Sequence, residues 1–348
     1  MFWKIGIWLT LLVTGVILCS PLSQARANQT GFLFGLTLQG LPVTQEQILR
    51  QEAIVGVPVR LITFYLQWPS KPEHGIFPAP SLKAIQALGA LPCVTWEPMY
   101  YDQKGEHMIP AHSITTGAYD PYLISFAQKS VAWGHPFILR LAHEMNIQRY
   151  HWGTTQDEYG PQSPALYRRM FRHVVSVFQE QGADNVVFAF CPNAESVPNT
   201  SYEPTAGWNT ISAYYPGDEY VQVLGIDGYN WGTTQTRKEH GWTSSWQSLT
   251  DIFAPAVREL RKISEHKPLI VFETGSARQG GVRDEWLKQG LEKIGDWNIQ
   301  GMCWFQVDKE VNWSLKWADI PKAGPRLRQL TSPALDRMAE WGKFQGKE

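Results

Sequence analysis

The chain has little cysteine, and its cysteines show no metal-binding pattern. It contains 4 cysteines in 348 residues. Cys19 lies in a hydrophobic N-terminal segment, and Cys93, Cys191 and Cys303 each lie within an apolar, strand-like run. None has the C-x-x-C or Cys/His spacing of a zinc site. Removal of the N-terminal segment with Cys19 would leave three cysteines, an odd number. We therefore expect buried free thiols rather than a disulfide framework.

An excess of charge of either sign is also lacking. The formal net charge is -1, and 18% of the residues are charged. Proteins that bind nucleic acid usually carry a basic excess, so we expect no nucleic-acid partner. After the N-terminal segment, no apolar run is long enough to cross a membrane.

The motifs of several enzyme classes are missing as well. No G-x-G-x-x-G or P-loop follows an early strand-like run, and there is no G-x-S-x-G nucleophile elbow. His143-Glu144 begins the zinc-protease pattern H-E-x-x-H, but Ile147 stands where the second histidine is needed. Neither a metal nor an organic cofactor is indicated.

The N-terminus has the pattern of a signal peptide. Lys4 precedes an apolar stretch at residues 5–18, and Ala25-Arg26-Ala27 matches an A-x-A cleavage signal. We therefore predict that residues 1–27 are removed and that the protein is secreted or periplasmic. The alternative is an uncleaved segment that anchors the protein in the membrane.

The rest of the chain alternates between strand-like and helix-like segments. The eight predicted strands cover residues 32–40, 59–68, 91–98, 137–146, 186–193, 221–231, 269–276 and 299–308. The predicted helices begin at Thr44 (with Gln47, a capping box), Asp120-Pro121, Ser163-Pro164 and Ser332-Pro333, and two of them end at Gly134 and Gly182. Two further segments with helical periodicity cover residues 246–265 and 284–294. This order predicts a single-domain α/β fold over residues 28–348, a (β/α)8 TIM barrel, and the doubly wound open sheet is the main alternative.

Two glutamates stand at the ends of apolar runs. Glu144 lies near the end of the fourth predicted strand, and Glu273 lies in the seventh, directly after its apolar residues. Barrel enzymes build their sites at the C-terminal ends of the strands. Glycoside hydrolysis needs two carboxyl groups, one to protonate the departing oxygen and one to attack or assist at the sugar carbon. The two glutamates are therefore candidate catalytic residues.

Polar residues accompany both candidate acids. Arg140 shares a strand face with Glu144 by alternation, which makes it a candidate substrate-binding residue, or one half of an ion pair that closes the barrel. His143 and Asn146 flank Glu144 and are candidates to orient the substrate or the carboxylate.

Tyr229 ends the sixth predicted strand, next to the strand of Glu273. A hydroxyl that donates to this carboxylate would hold it ionised as a nucleophile. The alternative for Tyr229 is an aromatic residue of a lid. Asp227 shares its strand face and is a candidate for a hydrogen bond inside the barrel.

Aromatic residues are abundant, with 16 Trp, 13 Tyr and 15 Phe. Trp304, in the last predicted strand, is a candidate flat floor for a sugar. Four further tryptophans at or just beyond strand ends are candidate stacking surfaces: Trp68, Trp96, Trp152 and Trp231. The alternative for each ring is packing in the core.

Several of these strings together resemble glycoside hydrolase family 26, the β-mannanase family of the clan A barrels. They are Arg140-Leu-Ala-His-Glu-Met-Asn146, the following Trp152, Tyr214-Tyr-Pro-Gly-Asp-Glu219 leading into Gly225-Ile-Asp-Gly-Tyr229, and Phe272-Glu-Thr-Gly-Ser276. The resemblance extends in order from the fourth to the eighth predicted strand.

The resemblance implies a role for each candidate residue. It implies a retaining mechanism in which Glu144 is the acid/base and Glu273 the nucleophile. It also implies that His143 contacts the sugar next to the cleaved bond, that Tyr229 binds the nucleophile, and that Trp304 forms part of the same subsite.

One loop differs from the family pattern. Family mannanases usually follow H-E-M-N with Gly and a nearby Trp pair, whereas this chain has Ile147-Gln-Arg-Tyr150. The substrate preference is therefore left open.

From the two acids and the resemblance, we expect a secreted, retaining endo-β-glycosidase, a monomer without cofactors, with β-1,4-mannan as the first candidate substrate. The alternatives are a β-glucanase or β-1,3-xylanase, a hydrolase of the cell's own exopolysaccharide, and a carbohydrate-binding barrel without activity.

Overall fold

Eight apolar runs of the sequence pair in parallel and close into a barrel. The computed structural model describes residues 32–331. Its strands are β1 (Leu33–Thr37), β2 (Leu61–Gln67), β3 (Leu91–Glu97), β4 (Met99–Asp102), β5 (Gly105–Met108), β6 (Phe137–Leu141), β7 (Val186–Phe190), β8 (Val223–Asn230), β9 (Leu269–Ser276) and β10 (Ile299–Phe305). The order around the ring is β1-β10-β9-β8-β7-β6-β3-β2. This closed parallel ring confirms the predicted (β/α)8 barrel and excludes the open sheet.

Helices surround the ring. They are α1 (Gln45–Val55), α2 (Ala79–Gln86), α3 (Ala111–Thr115), α4 (Asp120–Trp133), α5 (Ser163–Glu180), α6 (Ile211–Tyr214), α7 (Arg237–His240), α8 (Leu249–Ile263), α9 (Arg283–Asp296) and α10 (Ala323–Leu330). Within the described part of the chain, none of them is long and apolar enough to span a membrane. The predicted signal peptide and the helix predicted at Ser332 lie outside the described residues.

Local signals explain where several helices begin and end. The Thr44 side chain accepts a hydrogen bond from the backbone of Gln47 at 3.2 Å, but the Gln47 amide donates to the carbonyl of Gln39, so the predicted capping box is only half formed. Gly134 ends α4 with φ 72°, a conformation in which glycine avoids the Cβ clash.

The core has two layers, because each strand is buried on both faces. Residues of one alternation fill the barrel interior, among them Leu61, Ile270 and the three cysteines of the described chain, which are free and buried as predicted. Residues of the other alternation pack outward against the helices. This alternation decides which side chains can reach the mouth of the barrel.

A β-hairpin, which the sequence did not predict, stands beside the mouth. β4 and β5 pair antiparallel directly after β3. The two terminal nitrogens of Arg149 donate to the Glu106 carboxylate at 2.7 and 2.8 Å and fasten the hairpin to the loop after β6. The hairpin thereby forms one wall above the barrel.

Candidate active site

A cavity of about 1080 Å³ opens at the C-terminal ends of the barrel strands. Both predicted acids, Glu144 and Glu273, line it. Glu144 follows β6, the fourth strand of the barrel in chain order, and Glu273 lies in β9, the seventh. The cavity lies on the face where barrel enzymes place their sites.

Glu144 reaches the cavity through an unusual backbone path. β6 ends at Leu141 rather than at the predicted residue 146. Ala142 and Glu144 then take positive φ angles of 48° and 51°, which side chains other than glycine rarely adopt. The Glu144 amide donates to the carbonyl of Cys191 at 2.7 Å and secures the turn. Alternation along an extended strand was therefore the wrong reason for placing this acid at the site, because a left-handed turn presents it.

The Glu144 carboxyl lies in a setting that favours its protonated form. Within residues 32–331, no cation forms an ion pair with it. Burial, and next the negative charge of Glu273, raise its pKa to about 7, although a hydrogen bond from Asn193 at 2.7 Å works in the opposite direction. A carboxyl group with such a pKa is suited to donate a proton near neutral pH.

Glu273 has the opposite surroundings, with a donor on each side. The hydroxyl of Tyr65 donates to Oε1 at 2.6 Å, and that of Tyr229 donates to Oε2 at 2.6 Å. The hydrogen bond expected from Tyr229 is therefore present. Arg140 also donates to Oε1. These three donors fix the orientation of the carboxylate.

Arg140 lies beneath the cavity rather than in its lining. Its side chain is 0% exposed and forms ion pairs with Asp227, at 2.5 Å, and with Glu273. Its Nε also donates to Thr95 at 3.0 Å. Burial opposes its charge, but the two carboxylates outweigh burial and raise the pKa of the guanidinium well above its usual value. The prediction that Arg140 binds substrate is wrong, because its side chain is buried below Glu273 and pairs with that carboxylate.

The same cluster brings three potential metal ligands together. Ligand atoms of His143, Asp227 and Glu273 lie within 4.8 Å of one another. However, the Arg140 guanidinium already donates to both carboxylates, and its charge would repel a second cation. These residues therefore do not fit a metal site.

His143 is buried behind the cavity wall. Its ring lies 4.6 Å from that of Tyr150 and 6.0 Å from that of Trp152. Burial, followed by the charges of Arg140 and Arg149, lowers its pKa well below the usual value, so the imidazole is neutral. His143 is absent from the cavity lining, where Tyr150 is present.

Asn146 acts on the site through a neighbouring loop. Its side chain accepts a hydrogen bond from the backbone N–H of Asn193 at 2.8 Å and donates one to the backbone carbonyl of the same residue at 2.9 Å. These two bonds hold Asn193 where its side-chain amide donates to Glu144. Asn146 does not line the cavity and is therefore a positioning residue rather than a substrate contact.

Trp304 points away from the cavity. Its ring is 0% exposed and lies 6.1 Å from that of Trp286 in α9, and its Nε1 donates to the carbonyl of Trp313 at 2.7 Å. Cys303 and Phe305 have the inward alternation of β10, so Trp304 faces the helices. The prediction of a sugar floor at this position is wrong, and Trp313 lines the cavity instead.

Of the other predicted rings, only Trp231 lines the cavity. Trp68 and Trp96 pack on each other at 4.8 Å on the outer side of the strands, where the ring nitrogen of Trp96 donates to Tyr122. Trp152 stacks on Tyr150 at 5.2 Å with an interplanar angle of 9°. The placement of Trp68 and Trp152 as sugar contacts is therefore incorrect, although Trp152 supports a ring that is in the lining.

Trp231 belongs to an aromatic wall that the sequence only partly predicted. Its ring lies edge-on to those of Trp313, at 5.0 Å, and Trp242, at 5.7 Å. Trp242 is 45% exposed and also lines the cavity. Exposed indole rings at a cavity wall are suited to stack on the apolar faces of sugars.

Sequence reasoning also missed three polar residues of the site. Tyr65 contacts Glu273, Asn193 contacts Glu144, and Glu97 lines the same cavity. Glu97 carries the signal that singled out the other two acids, since it ends the apolar run of β3. Asn193 carries a similar signal, since it ends the fifth predicted strand. Tyr65 carries none, because its importance comes from a contact with the distant strand β9.

Comparison with known proteins identifies relatives of this chain. The profile of glycosyl hydrolase family 26 matches residues 126–265. Endoglucanase H of Acetivibrio thermocellus is 34% identical over 239 residues, which are 68% of this chain and 24% of that protein. A mannan endo-1,4-beta-mannosidase of Bacillus subtilis is 26% identical over 98 residues, which are 28% of this chain and 24% of that protein. The match thus spans about a quarter of the length of these curated relatives.

Solved structures share the fold. A Bacillus subtilis mannanase superposes with a TM-score of 0.59 at 14% identity, covering 84% of this chain and 85% of that chain. A β-mannanase of family 26 from Bacteroides ovatus superposes with a TM-score of 0.55 at 17% identity, covering 87% and 89%. The profile match, the relatives and the shared barrel agree with the resemblance read from the R-x-x-H-E-M-N string. The chain belongs to glycosyl hydrolase family 26.

Proposed function

We propose that this protein is a retaining endo-β-glycosidase that hydrolyses a β-linked polysaccharide. The observation that carries the proposal is the contrast between two carboxyl groups in one cavity. Glu144 has a raised pKa of about 7, whereas Glu273 receives hydrogen bonds from Tyr65, Tyr229 and Arg140. Two acids whose environments differ in this way are suited to act as proton donor and nucleophile.

In the first step, the protonated Glu144 donates its proton to the glycosidic oxygen as the bond to the sugar breaks. The Glu273 carboxylate attacks the anomeric carbon and forms a covalent glycosyl-enzyme ester. The hydrogen bonds from Tyr65 and Tyr229 orient the carboxylate before the attack.

In the second step, Glu144 changes its role. Once Glu273 is esterified, the negative charge that helped to raise the pKa of Glu144 is gone, so Glu144 ionises more readily. The carboxylate then takes a proton from a water molecule, which attacks the anomeric carbon and releases the sugar with its original configuration. The same residue therefore acts first as acid and then as base.

The first candidate substrate is β-1,4-mannan, as in the Bacillus subtilis relative named for that activity. A β-glucan is the second candidate, because the match to Endoglucanase H extends over 68% of this chain rather than 28%. A β-1,3-xylan or the cell's own exopolysaccharide is also kept as an alternative. The wall formed by Trp231, Trp242 and Trp313 would suit an extended, neutral sugar chain.

A carbohydrate-binding barrel without activity is the alternative from another class. The cavity keeps both acids, together with the donors of Glu273 and the Asn193 contact to Glu144. A barrel that only binds has no need of a carboxyl group with a raised pKa next to an oriented carboxylate. We therefore favour catalysis.

The test is a panel assay on mannan, glucomannan, lichenan, xylan and secreted microbial polysaccharides. We expect hydrolysis of at least one polymer, a product that retains the anomeric configuration in NMR, and loss of activity in Glu273→Ala. Azide should restore turnover in this variant and give a product of inverted configuration. Wild-type turnover in Glu273→Ala, or an inverted product from the unmodified enzyme, would refute the proposal.

We further propose that residues 1–27 direct export, that residues 28–348 form the catalytic domain, and that this domain acts as a monomer on its polysaccharide partner. Mass spectrometry of the protein recovered outside the cytoplasm should give the mass of a chain that begins near Asn28. A mass that includes residues 1–27, in a membrane fraction, would instead indicate an anchor. Light scattering at working concentration tests the monomer.

A further inference from the structure

A third carboxyl group, which the proposed mechanism does not use, lies in the cavity wall. Glu97 is the last residue of β3, is 3% exposed and lines the same cavity as Glu144 and Glu273. It is the residue after Trp96, and it has the opposite alternation. It therefore faces the mouth of the barrel, whereas Trp96 packs among the outer aromatic rings.

Among residues 32–331, Glu97 forms no ion pair, and burial raises its pKa to about 7. Within the described part of the chain, no lysine, arginine or histidine nitrogen lies within 4 Å of its carboxylate. Its one side-chain hydrogen bond there comes from the amide of Gln67, which donates to Oε2 at 2.5 Å. Burying a carboxyl group with so little compensation costs free energy. The raised pKa relieves part of this cost, and the other oxygen, which takes no part in the Gln67 bond, remains available to a ligand.

The position of this pair relates it to the nucleophile. Gln67 and Glu97 are register partners at the ends of the adjacent strands β2 and β3. Tyr65 precedes Gln67 by two residues on β2, so both side chains share the inward face, and Tyr65 donates to Glu273. Gln67 and Glu97 thus stand on the wall directly above the Tyr65 contact to the nucleophile.

We propose that Glu97 and Gln67 form a hydroxyl-binding subsite that holds a neutral sugar beside the cleaved bond and rejects a uronate at that position. The proposal rests on the proposed function, since it assigns part of the substrate specificity of the same site. A carboxylate oxygen accepts hydrogen bonds from sugar hydroxyls, and the Gln67 amide both donates and accepts. Burial raises the pKa of Glu97 to about 7, so near neutral pH part of the molecules carry an ionised Glu97. In these molecules a uronate carboxylate on the same wall would meet like charge in a buried setting.

The experiment compares wild type with Glu97→Gln, Gln67→Met and the control Glu285→Gln. Glu285 is an acid of α9 that is absent from the cavity lining and pairs with Lys322. The substrates are the hexose polymer of the panel that wild type hydrolyses fastest and the same polymer with part of its primary alcohols oxidised to carboxylates. If only xylan is hydrolysed, which has no primary alcohols, it is compared with a glucuronoxylan. Circular dichroism and the melting temperature establish that each variant is folded.

We expect Glu97→Gln to lower kcat/KM on the neutral polymer by about 10-fold to 100-fold, the range for loss of a hydrogen bond to a charged group. The same variant should discriminate less between the neutral and the oxidised polymer. Gln67→Met should also lower kcat/KM on the neutral polymer, and Glu285→Gln should leave kcat/KM on both polymers unchanged. A purely structural role of Glu97 would change the melting temperature but not the ratio between the two polymers.

Two results would overturn the inference while leaving the proposed function intact. One is unchanged kcat/KM in a folded Glu97→Gln variant, and the other is an unchanged preference for the neutral polymer. If wild type hydrolyses no polymer, the proposed function fails. The subsite is then tested by calorimetric binding of mannohexaose and a mixed-linkage glucohexaose to wild type and Glu97→Gln. Equal affinities, or no binding to either protein, would refute the subsite as well.

Discussion

The hydroxyl of Tyr65 lies 2.6 Å from Oε1 of Glu273, although 208 positions separate the two residues in the chain. β2 and β9 are not neighbours in the ring, since β1 and β10 stand between them. The contact therefore spans the mouth of the barrel. Together with Tyr229 on Oε2, it gives each oxygen of Glu273 its own phenol donor.

We predict that Tyr65→Phe and Tyr229→Phe each lower kcat by about 10-fold to 100-fold, because each removes a hydrogen bond to a charged group. The fold should persist, since phenylalanine keeps the ring in place. Steady-state kinetics on the best substrate measures the effect. Tyr101→Phe is the control, because this exposed cavity residue bonds to Glu106 and not to Glu273. Equal losses in all three variants would contradict a specific action on Glu273.

The pH profile should follow the proton of Glu144. Its pKa is raised to about 7, and the protonated form that donates is present below this value. Activity should therefore fall as the pH rises through about 7. Glu144→Gln should abolish this limb and lower kcat by about 10²-fold to 10⁴-fold on a polysaccharide, the usual contribution of general acid catalysis. An aryl glycoside with an acidic leaving group should lose less, and equal losses on both substrates would argue against the acid role.

Asn193→Ala should move the same limb towards higher pH. The amide of Asn193 donates to Glu144 at 2.7 Å and lowers its pKa, so removing this donor leaves burial and Glu273 less opposed. The pH dependence of kcat/KM measures the shift. Asn312→Ala, the same change at an asparagine that is absent from the cavity lining and bonds to Asp308 and Ser314, should leave the limb in place. A limb that moves to lower pH in Asn193→Ala would contradict this assignment.

Arg140→Met should destabilise the fold by about 3–5 kcal/mol, because it leaves two buried carboxylates without their cation. Asp227 and Glu273 have side chains that are 0% and 6% exposed. Urea unfolding measures the change. The control Arg149→Met removes an arginine that is 52% exposed and paired at the surface, so it should cost about 1 kcal/mol or less. Similar values for the two variants would show that the buried cluster does not depend on its arginine.

Most of the barrel could be predicted because the strands are apolar and turn-forming residues mark many of their ends. The seventh predicted strand, residues 269–276, agrees with β9 at both ends, where Pro268 marks its beginning. The fourth predicted strand extended to residue 146, but β6 stops at Leu141. Nothing in the sequence announces the positive φ angles of Ala142 and Glu144, because neither residue is glycine.

The direction of the aromatic rings could not be predicted for a different reason. In β10, residues of both alternations are apolar, since one set faces the barrel interior and the other the helices. The sequence therefore gave no means to decide whether Cys303 or Trp304 faces inward. Knowledge of one contact, such as that of Cys303 with Thr63 across the interior, would have shown that Cys303 faces inward.

The polar partners of the acids depend on closure of the ring. Asp227 was predicted to bond inside the barrel, and it does so with Arg140. Tyr65 lies on a strand that carries no candidate acid, and its role appears only when β2 is placed across the mouth from β9. Such contacts follow from the assembled barrel rather than from local sequence.

Arg140 joins three strands at once, since it lies on β6 and pairs with Asp227 of β8 and Glu273 of β9. A chain in which these strands are not yet together has neither the cation in place nor the nucleophile oriented. Closure of the barrel and orientation of the Glu273 nucleophile therefore occur together. Catalytic activity can therefore serve as a reporter of barrel assembly, and in a denaturant series it should disappear together with the fold rather than before it.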